Sequence, residues 1–347
     1  MSDSRKPVVR RFQKKSPSIY PIHEYVSEIK SGNRAVLAKA ITFIESNEST
    51  QFQTGQNILK ELLPITGNSV RIGITGVPGA GKSTFIERFG TMLCEMGKKV
   101  AVLAIDPSSP VSKGSILGDK TRMEKLSTHP NAFIRPSPSG QSQGGVHRKT
   151  RETILLCEAA GFDVIIVETI GVGQSETTVR TMVDLFWMLA ITGAGDDLQG
   201  MKKGIMELCD SIFVTKADGD NLPVALKTKN EYNQMLRFLK PSTPGWTSRA
   251  YTCSAITGEG IHKAWEIAQL FVENTKASGV FFERRKNQTK EWLNASIKDQ
   301  LNQLFFENET VKAKLNVLET AVVEGRLPVA LATTEIIEQF ILSLKLK

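Results

Sequence analysis

The chain has 347 residues, 40% of them hydrophobic and 23% charged, with a formal net charge of +8 at pH 7. Such a length implies about two domains, or one with extensions, and suffices to bury an α/β core without disulfides. Cys94, Cys157, Cys209 and Cys253 are widely spaced with no C-x-x-C pair, which argues against a zinc or redox motif and for a reduced, cytoplasmic setting. Lysines and arginines are scattered, so nucleic acid is not expected as a partner, and no apolar run reaches the ~18 residues of a membrane span.

Residues 1–19 read as a basic flexible arm. Arg5, Lys6, Arg10, Arg11, Lys14 and Lys15 are grouped with Pro7 and Pro17, and no apolar stretch of a secretory signal accompanies them. A disordered or clamping arm is the preferred reading, and a short mitochondrial presequence is the alternative. Residues 20–66 read as an N-terminal helical extension of two or three short helices. Asn33 is a candidate cap, and Ala35, Val36, Leu37, Ala40, Ile41 and Ile44 follow it near helical spacing. Over residues 67–278 short β-rich runs alternate with longer helical segments. The runs are Val70–Thr75, Val100–Ile105, Ala132–Ile134, Val164–Val167, Leu185–Ile191, Ser211–Val214 and Ala250–Cys253. This alternation predicts an α/β fold with a doubly wound, mostly parallel sheet, whose ligands gather at the carboxyl ends of the strands. Residues 279–347 read as a charged helical arm punctuated by Gly325 and Pro328.

Three groups of residues carry chemistry. The first is Gly76-Val77-Pro78-Gly79-Ala80-Gly81-Lys82-Ser83, which fits G-x-x-x-x-G-K-[ST] between the run ending at Thr75 and a helix expected over Ser83–Met96. Its glycines let backbone N–H groups turn inward to cradle phosphate, Lys82 reaches the β- and γ-phosphates, and the Ser83 hydroxyl is offered to Mg²⁺. The helix start adds the positive end of its dipole. The spacing therefore predicts a P-loop nucleotide hydrolase.

The second group is acidic. A P-loop enzyme needs a carboxylate to hold the Mg²⁺ water shell. Asp106 closes one apolar run, and Glu168 closes another and opens Glu168-Thr169-Ile170-Gly171, whose glycine N–H could meet a γ-phosphate. A helix cap or loop anion is the bland alternative for both acids. Asp119, in Gly118-Asp119-Lys120-Thr121-Arg122, is a third metal candidate or else the N-cap of a following helix. The third group concerns the base. Asp218 of Thr215-Lys216-Ala217-Asp218 can accept from the N1–H and amine of guanine, with the Lys216 stem on the purine face. Ser254-Ala255-Ile256-Thr257-Gly258 follows, where a backbone N–H can bond the guanine O6. The usual first residue of the former motif is Asn, and Thr215 replaces it with a shorter reach. In this order after a P-loop, the two motifs favour GTP/GDP over adenine nucleotides.

Together with Thr84, these residues and the blocks Ala104–Pro110, Gly114–Met123, Glu168–Glu176 and Gly193–Gly200 resemble the MeaB/ArgK family of P-loop GTPases, from about residue 20 to 345. The family also includes the human methylmalonic aciduria type A protein. The resemblance implies a GTPase metallochaperone that binds an adenosylcobalamin-dependent acyl-CoA mutase of the methylmalonyl-CoA type. Such a protein gates cofactor loading and protects the mutase. A homodimer joined through the C-terminal arm is implied as well. Carried onto this chain, Lys82 and Ser83 serve phosphate and Mg²⁺, Asp106 and Glu168 the metal and its waters, and Asp119 the first switch. Gly193–Lys203 becomes a third switch whose Asp196, Gln199 and Lys202 read the partner. Besides Thr215, two departures stand out: Asp197 replaces the usual Glu, and His147 lies in an atypical Ser142–His147 segment. His147 reads as tolerated at a helix end or, alternatively, as a partner contact.

Other functions fit less well. A kinase of transport binding proteins would need a base and groove for an acceptor hydroxyl, which no motif advertises. A nickel-insertion GTPase would usually carry C-x-x-C or His-rich ligands. No Asp stands two residues before any His, so the lower-ligand motif of a cobalamin enzyme is lacking and the cobalamin is expected on the partner.

Overall fold

The computed structural model describes residues 21–105, 123–136, 143–169, 175–192 and 203–345. Three helices open the described chain: α1 (Ile22–Lys30), α2 (Arg34–Glu45) and α3 (Ser49–Leu62). Asn33 caps α2 as its position suggested, its side-chain oxygen accepting from the N–H groups of Ala35 (3.1 Å) and Val36 (3.3 Å). Leu37, Ala40, Ile41 and Ile44 then form one buried stripe, and it packs against α6 (Gln143–Ala159). The extension is thus part of the main core.

Seven strands follow: β1 (Val70–Gly76), β2 (Val100–Ile105), β3 (Ala132–Pro136), β4 (Val164–Thr169), β5 (Leu185–Ala190), β6 (Ser211–Val214) and β7 (Arg249–Thr252). They form one sheet in the order β3-β2-β4-β1-β5-β6-β7, with every pairing parallel. All seven coincide with the apolar runs of the sequence to within a residue or two. Side chains alternate between two cores. Ala101, Leu103 and Ile105 face α1–α3, α6 and α7 (Ser175–Arg180), while Val100 and Val102 face α4 (Lys82–Glu95), α5 (Glu124–Thr128) and α10 (Ile261–Ala277). On the second face Phe85, Phe89, Trp187 and Phe213 form one aromatic cluster, with centroids 5.0–6.4 Å apart. Two further helices, α8 (Lys203–Leu208) and α9 (Leu222–Leu236), flank the β5–β7 half on the first face.

The chain ends in α11 (Val280–Phe306), α12 (Glu309–Val323) and α13 (Val329–Lys345). Val311, Leu318, Ala332 and Ile336 give α12 and α13 a small core of their own. Distal α11 exposes Leu293, Ile297, Leu301 and Leu304, spaced so that they lie along one side of the helix. Among the described residues no helix is long and apolar enough to cross a membrane.

The root of α11 is held at the amino ends of the strands by buried ion pairs. Arg285 forks onto Asp184 (Nε to Oδ1 2.7 Å, Nη2 to Oδ2 2.7 Å) and donates to the carbonyls of Gly67 and Ser69. Arg71 forks onto Glu158 with both bonds at 2.8 Å. Arg284 donates to the Asp184 carbonyl and to Thr243 Oγ1, and Arg180 pairs with Asp210 at 3.4 Å. Burial and the neighbouring Arg180 bring the Arg284 guanidinium down to about 10. Breaking one such pair leaves a buried charge uncompensated. Asp184→Ala is therefore expected to lower unfolding free energy by about 3–5 kcal/mol, read as a drop in the urea midpoint.

Candidate nucleotide-binding site

β1 is the centre of the sheet and leaves it at Gly76. A Cβ there would lie 2.4 Å from the Leu189 carbonyl oxygen of β5, so only glycine lets the chain turn away at this point. Gly79 and Gly81 have left-handed backbone, with φ of +81° and +76°. A Cβ on either would meet nothing within 4 Å, so the space beside both glycines is open. The helix starts at Lys82, one residue before the expected Ser83, and the N–H groups of its first turn have no partners within the helix. The Lys82 ammonium folds back over the loop and donates to the carbonyls of Gly76 (2.7 Å) and Val77 (3.3 Å). Burial pulls its pKa below the usual lysine range, and the carboxylates of Glu168 and Glu176 work against that pull. A cation on its own loop's carbonyls, beside the first turn of a helix, is an arrangement that a phosphate chain completes.

Glu168 sits at the carboxyl end of β4, 5% exposed. Beside it the Thr169 hydroxyl donates to Thr75 Oγ1 at 3.0 Å, tying β4 to β1 beneath the cradle. Ser83 is half-buried in the first turn of α4, and Thr84 is exposed. A hydroxyl and a carboxylate at the cradle suit Mg²⁺, which takes few protein ligands and completes its shell with phosphate and water. Among the described residues no group of three or more His, Cys, Asp or Glu side chains could hold a metal unaided.

Base-side residues converge from the ends of β6 and β7. Lys216 has φ +55°, the one left-handed non-glycine among the described residues, and its carbonyl accepts from Asn221 Nδ2 at 2.6 Å. The Lys216 side chain is exposed. Asp218 lies half-buried beside it. Ser254, fully buried, donates its hydroxyl to Asp218 Oδ2, and the same hydroxyl accepts from the Thr257 N–H. The two base motifs are thus joined directly, with Ala255 half-buried and Ile256 exposed at the rim.

Thr215 has a different job from the one its motif position suggested. It is buried, and its hydroxyl lies 2.8 Å from the Ala80 carbonyl and 3.0 Å from that of Ala190. With one proton to give, it bridges the phosphate loop to the ends of β5 and β6. Sequence reasoning also gave no role to Glu176, which is 1% exposed in the first turn of α7 and acts on Lys82. Asn221, which fixes Lys216, was missed too. The sequence signal for Glu176 was its place a few residues beyond Glu168–Gly171. Asp106, Asp119, Gly171, Asp196, Gln199 and Lys202, and the side chain of His147, lie outside the described residues.

A glycine cradle between the central strand of an all-parallel sheet and a helix, with a carboxylate at the next strand's end, defines a P-loop nucleotide-binding protein. The family model "Methylmalonyl Co-A mutase-associated GTPase MeaB" matches residues 37–310, and the chain belongs to that family. It is 51% identical to a putative GTPase of Caulobacter vibrioides over 310 residues, which span 89% of this chain and 95% of the relative. It is 47% identical to the GTPase ArgK of Escherichia coli over 286 residues, 82% of this chain and 86% of that protein. A crystal structure of LAO/AO transport system kinase superposes with a TM-score of 0.74 at 38% identity, covering 91% of this chain and 96% of the other.

Thr215→Val keeps the shape but strips the Ala80 carbonyl of its donor. A loss of about 1–3 kcal/mol is expected, visible as a lower thermal midpoint in the nucleotide-free protein.

Proposed function

We propose that this protein hydrolyses GTP to GDP and phosphate, and that it uses the cycle to gate adenosylcobalamin loading into an acyl-CoA mutase of the methylmalonyl-CoA type. The observation that carries the nucleotide reading is the alignment of three parts along one sheet edge: the open cradle with Lys82, the buried Glu168, and Asp218 locked to Ser254. The mutase half of the proposal rests on family membership, since the family's description names a methylmalonyl-CoA mutase association.

In this reading the N–H groups of Gly76–Thr84 hold the phosphates and Lys82 leaves its loop carbonyls to neutralise β- and γ-oxygens. Ser83 and Glu168, with Asp106 and Asp119, would hold Mg²⁺, which neutralises charge on the phosphates when bound. Glu168 also orders water near the γ-phosphate. Asp218 accepts from the guanine N1–H and amine, Ser254 fixes the orientation of that carboxylate, and the Lys216 stem covers the purine. Asp196, Gln199 and Lys202 read the mutase. The protein acts as a homodimer through its C-terminal helices, which is supported by the exposed stripe Leu293, Ile297, Leu301 and Leu304.

Asp218→Asn is expected to weaken GDP by about 1.5–3 kcal/mol and to shift preference toward xanthosine diphosphate, whose C2 oxygen needs a donor. Unchanged GDP affinity by calorimetry would refute the base assignment. For the partner, acyl-CoA mutase should co-purify differently with GDP-loaded protein and with protein loaded with a non-hydrolysable GTP analogue. Equal absence from both would remove the chaperone role. An assay with γ-labelled GTP separates hydrolysis from a kinase reading, because hydrolysis puts the label in free phosphate rather than on an acceptor protein.

The dimer is best tested by substitution, since the first turns of α11 belong to the buried ion pairs. The double variant Ile297→Glu and Leu301→Glu should become monomeric by light scattering and keep its GDP affinity. A dimer that survives both charges would place the interface elsewhere.

A further inference from the structure

We propose that the nucleotide state of the cradle is relayed to the C-terminal arm through the joint between α7 and α11, with Gln288 and Arg151 as its positioning residues. The inference rests on the GTP reading of the site above and adds a route by which that site controls the arm.

The joint has two ends. At the upper end, α7 follows Glu168 and Thr169 in the chain, and its first turn carries Glu176, buried and acting on Lys82. α7 also packs on β1 and β4, the two strands that end at the cradle. A phosphate that draws Lys82 off its loop carbonyls changes the charge that Glu176 faces, at the first turn of this helix.

At the lower end, residues 180–184 are wired to α11 and to α6. Gln288 of α11, almost fully buried, donates Nε2 to the carbonyls of Val183 (2.8 Å) and Arg180 (3.3 Å). Arg151 of α6 donates to Thr181 Oγ1 at 2.6 Å and to the Gln288 carbonyl at 3.3 Å, with its guanidinium 5.8 Å from the Trp292 ring centroid. Arg284 of α11 donates to the Asp184 carbonyl. The end of α7 cannot shift without re-pairing groups on α11.

The joint is also incomplete in a way that suits two arrangements. The Gln288 Oε1 is buried and has no partner among the described residues, so the amide is only half satisfied. Beside it lies an open cleft of about 440 Å³, bordered by Arg180, Thr181, Ser242, Arg284 and Asn287. Its arginines already bond protein: Arg180 to Ser242 Oγ, Arg284 to Thr243 Oγ1 and the Asp184 carbonyl. The cleft is therefore room into which these side chains can repack rather than a receptor. The output is amplified by length. α11 has 27 residues and spans roughly 40 Å, so a tilt of about 5° at its root displaces the far end by about 3 Å. That far end carries the apolar stripe.

The test uses the full-length protein and Gln288→Met, which keeps the volume and removes the donor. Hydrogen exchange is followed by mass spectrometry with GDP and with the β,γ-imido analogue of GTP, and calorimetry on the same samples reports nucleotide affinity. In the parent, amides of residues 280–295 should exchange at rates differing about threefold or more between the two nucleotides. In Gln288→Met that ratio should fall to near one while both affinities stay within about twofold. Arg151→Lys, which keeps the charge and loses the double contact, should behave alike and carries the test if Gln288→Met does not fold. A parent that binds both nucleotides but shows no difference in 280–295 overturns the relay and leaves the GTP reading intact. A parent that binds neither removes that reading and the relay with it. A folded variant that keeps the parent's ratio also overturns the relay.

Discussion

The constraint on which the molecule depends is the double burial of its parallel sheet. Strands β2, β4, β5 and β6 have no exposed residue, and β1 is buried from Ile72 onward. A polar side chain in mid-strand would have no water and few partners, so polar chemistry is driven to the strand ends. At the carboxyl ends stand Lys82, Glu168, Thr215, Asp218 and Ser254. At the amino ends stand Arg71, Asp184 and Asp210. The same rule that makes the strands apolar therefore sorts charge into two layers on opposite edges of one sheet.

The two layers differ in how their charges are met. Below the sheet each carboxylate is met by a forked arginine or by backbone N–H groups: Asp184 by Arg285 and the Arg71 N–H, Glu158 by Arg71 and the Gly67 N–H. Such pairs have their desolvation cost offset by geometry, and they fix where the extension and arm attach. Above the sheet Lys82 finds two neutral carbonyls of its own loop, and its two neighbouring carboxylates act on it at longer range. That contrast separates a structural network from a site awaiting an anion, even though both contain buried charge.

The fold was legible because its signal is local. Runs such as Val164–Val167 cannot alternate polar and apolar when both faces are buried, so each of the seven strands appears as a short apolar block. The ends drifted by a residue or two where polar residues belong to the strand, as with Glu168 and Thr169 in β4. The cradle was legible for the same reason, since its glycines and Lys82 are adjacent in sequence. The amino-edge network was not. Its forked pairs join residues 87 and 101 positions apart, Arg71 to Glu158 and Asp184 to Arg285, and each reads alone as an ordinary charged residue. Gln288 and Glu176 were hidden likewise, because their burial depends on which helix lies against them.

Thr215 shows how a motif position can hold a structural duty that its sequence context conceals. Placed where Asn is usual, it invites the expectation of a weakened contact with the base. The structure instead directs its hydroxyl inward, onto the Ala80 carbonyl of the phosphate loop, while its own N–H donates to the Ala190 carbonyl. A short side chain serves this purpose, because Thr215 and Ala80 are both buried and the carbonyl lies 2.8 Å from the hydroxyl. On the proposed reading, discrimination among bases then falls to Asp218, whose carboxylate Ser254 holds, and to Lys216, whose left-handed backbone Asn221 supports. The end of β6 thus binds the phosphate cradle to the base pocket through Thr215, and a shift in either loop is felt by the other through a single hydroxyl.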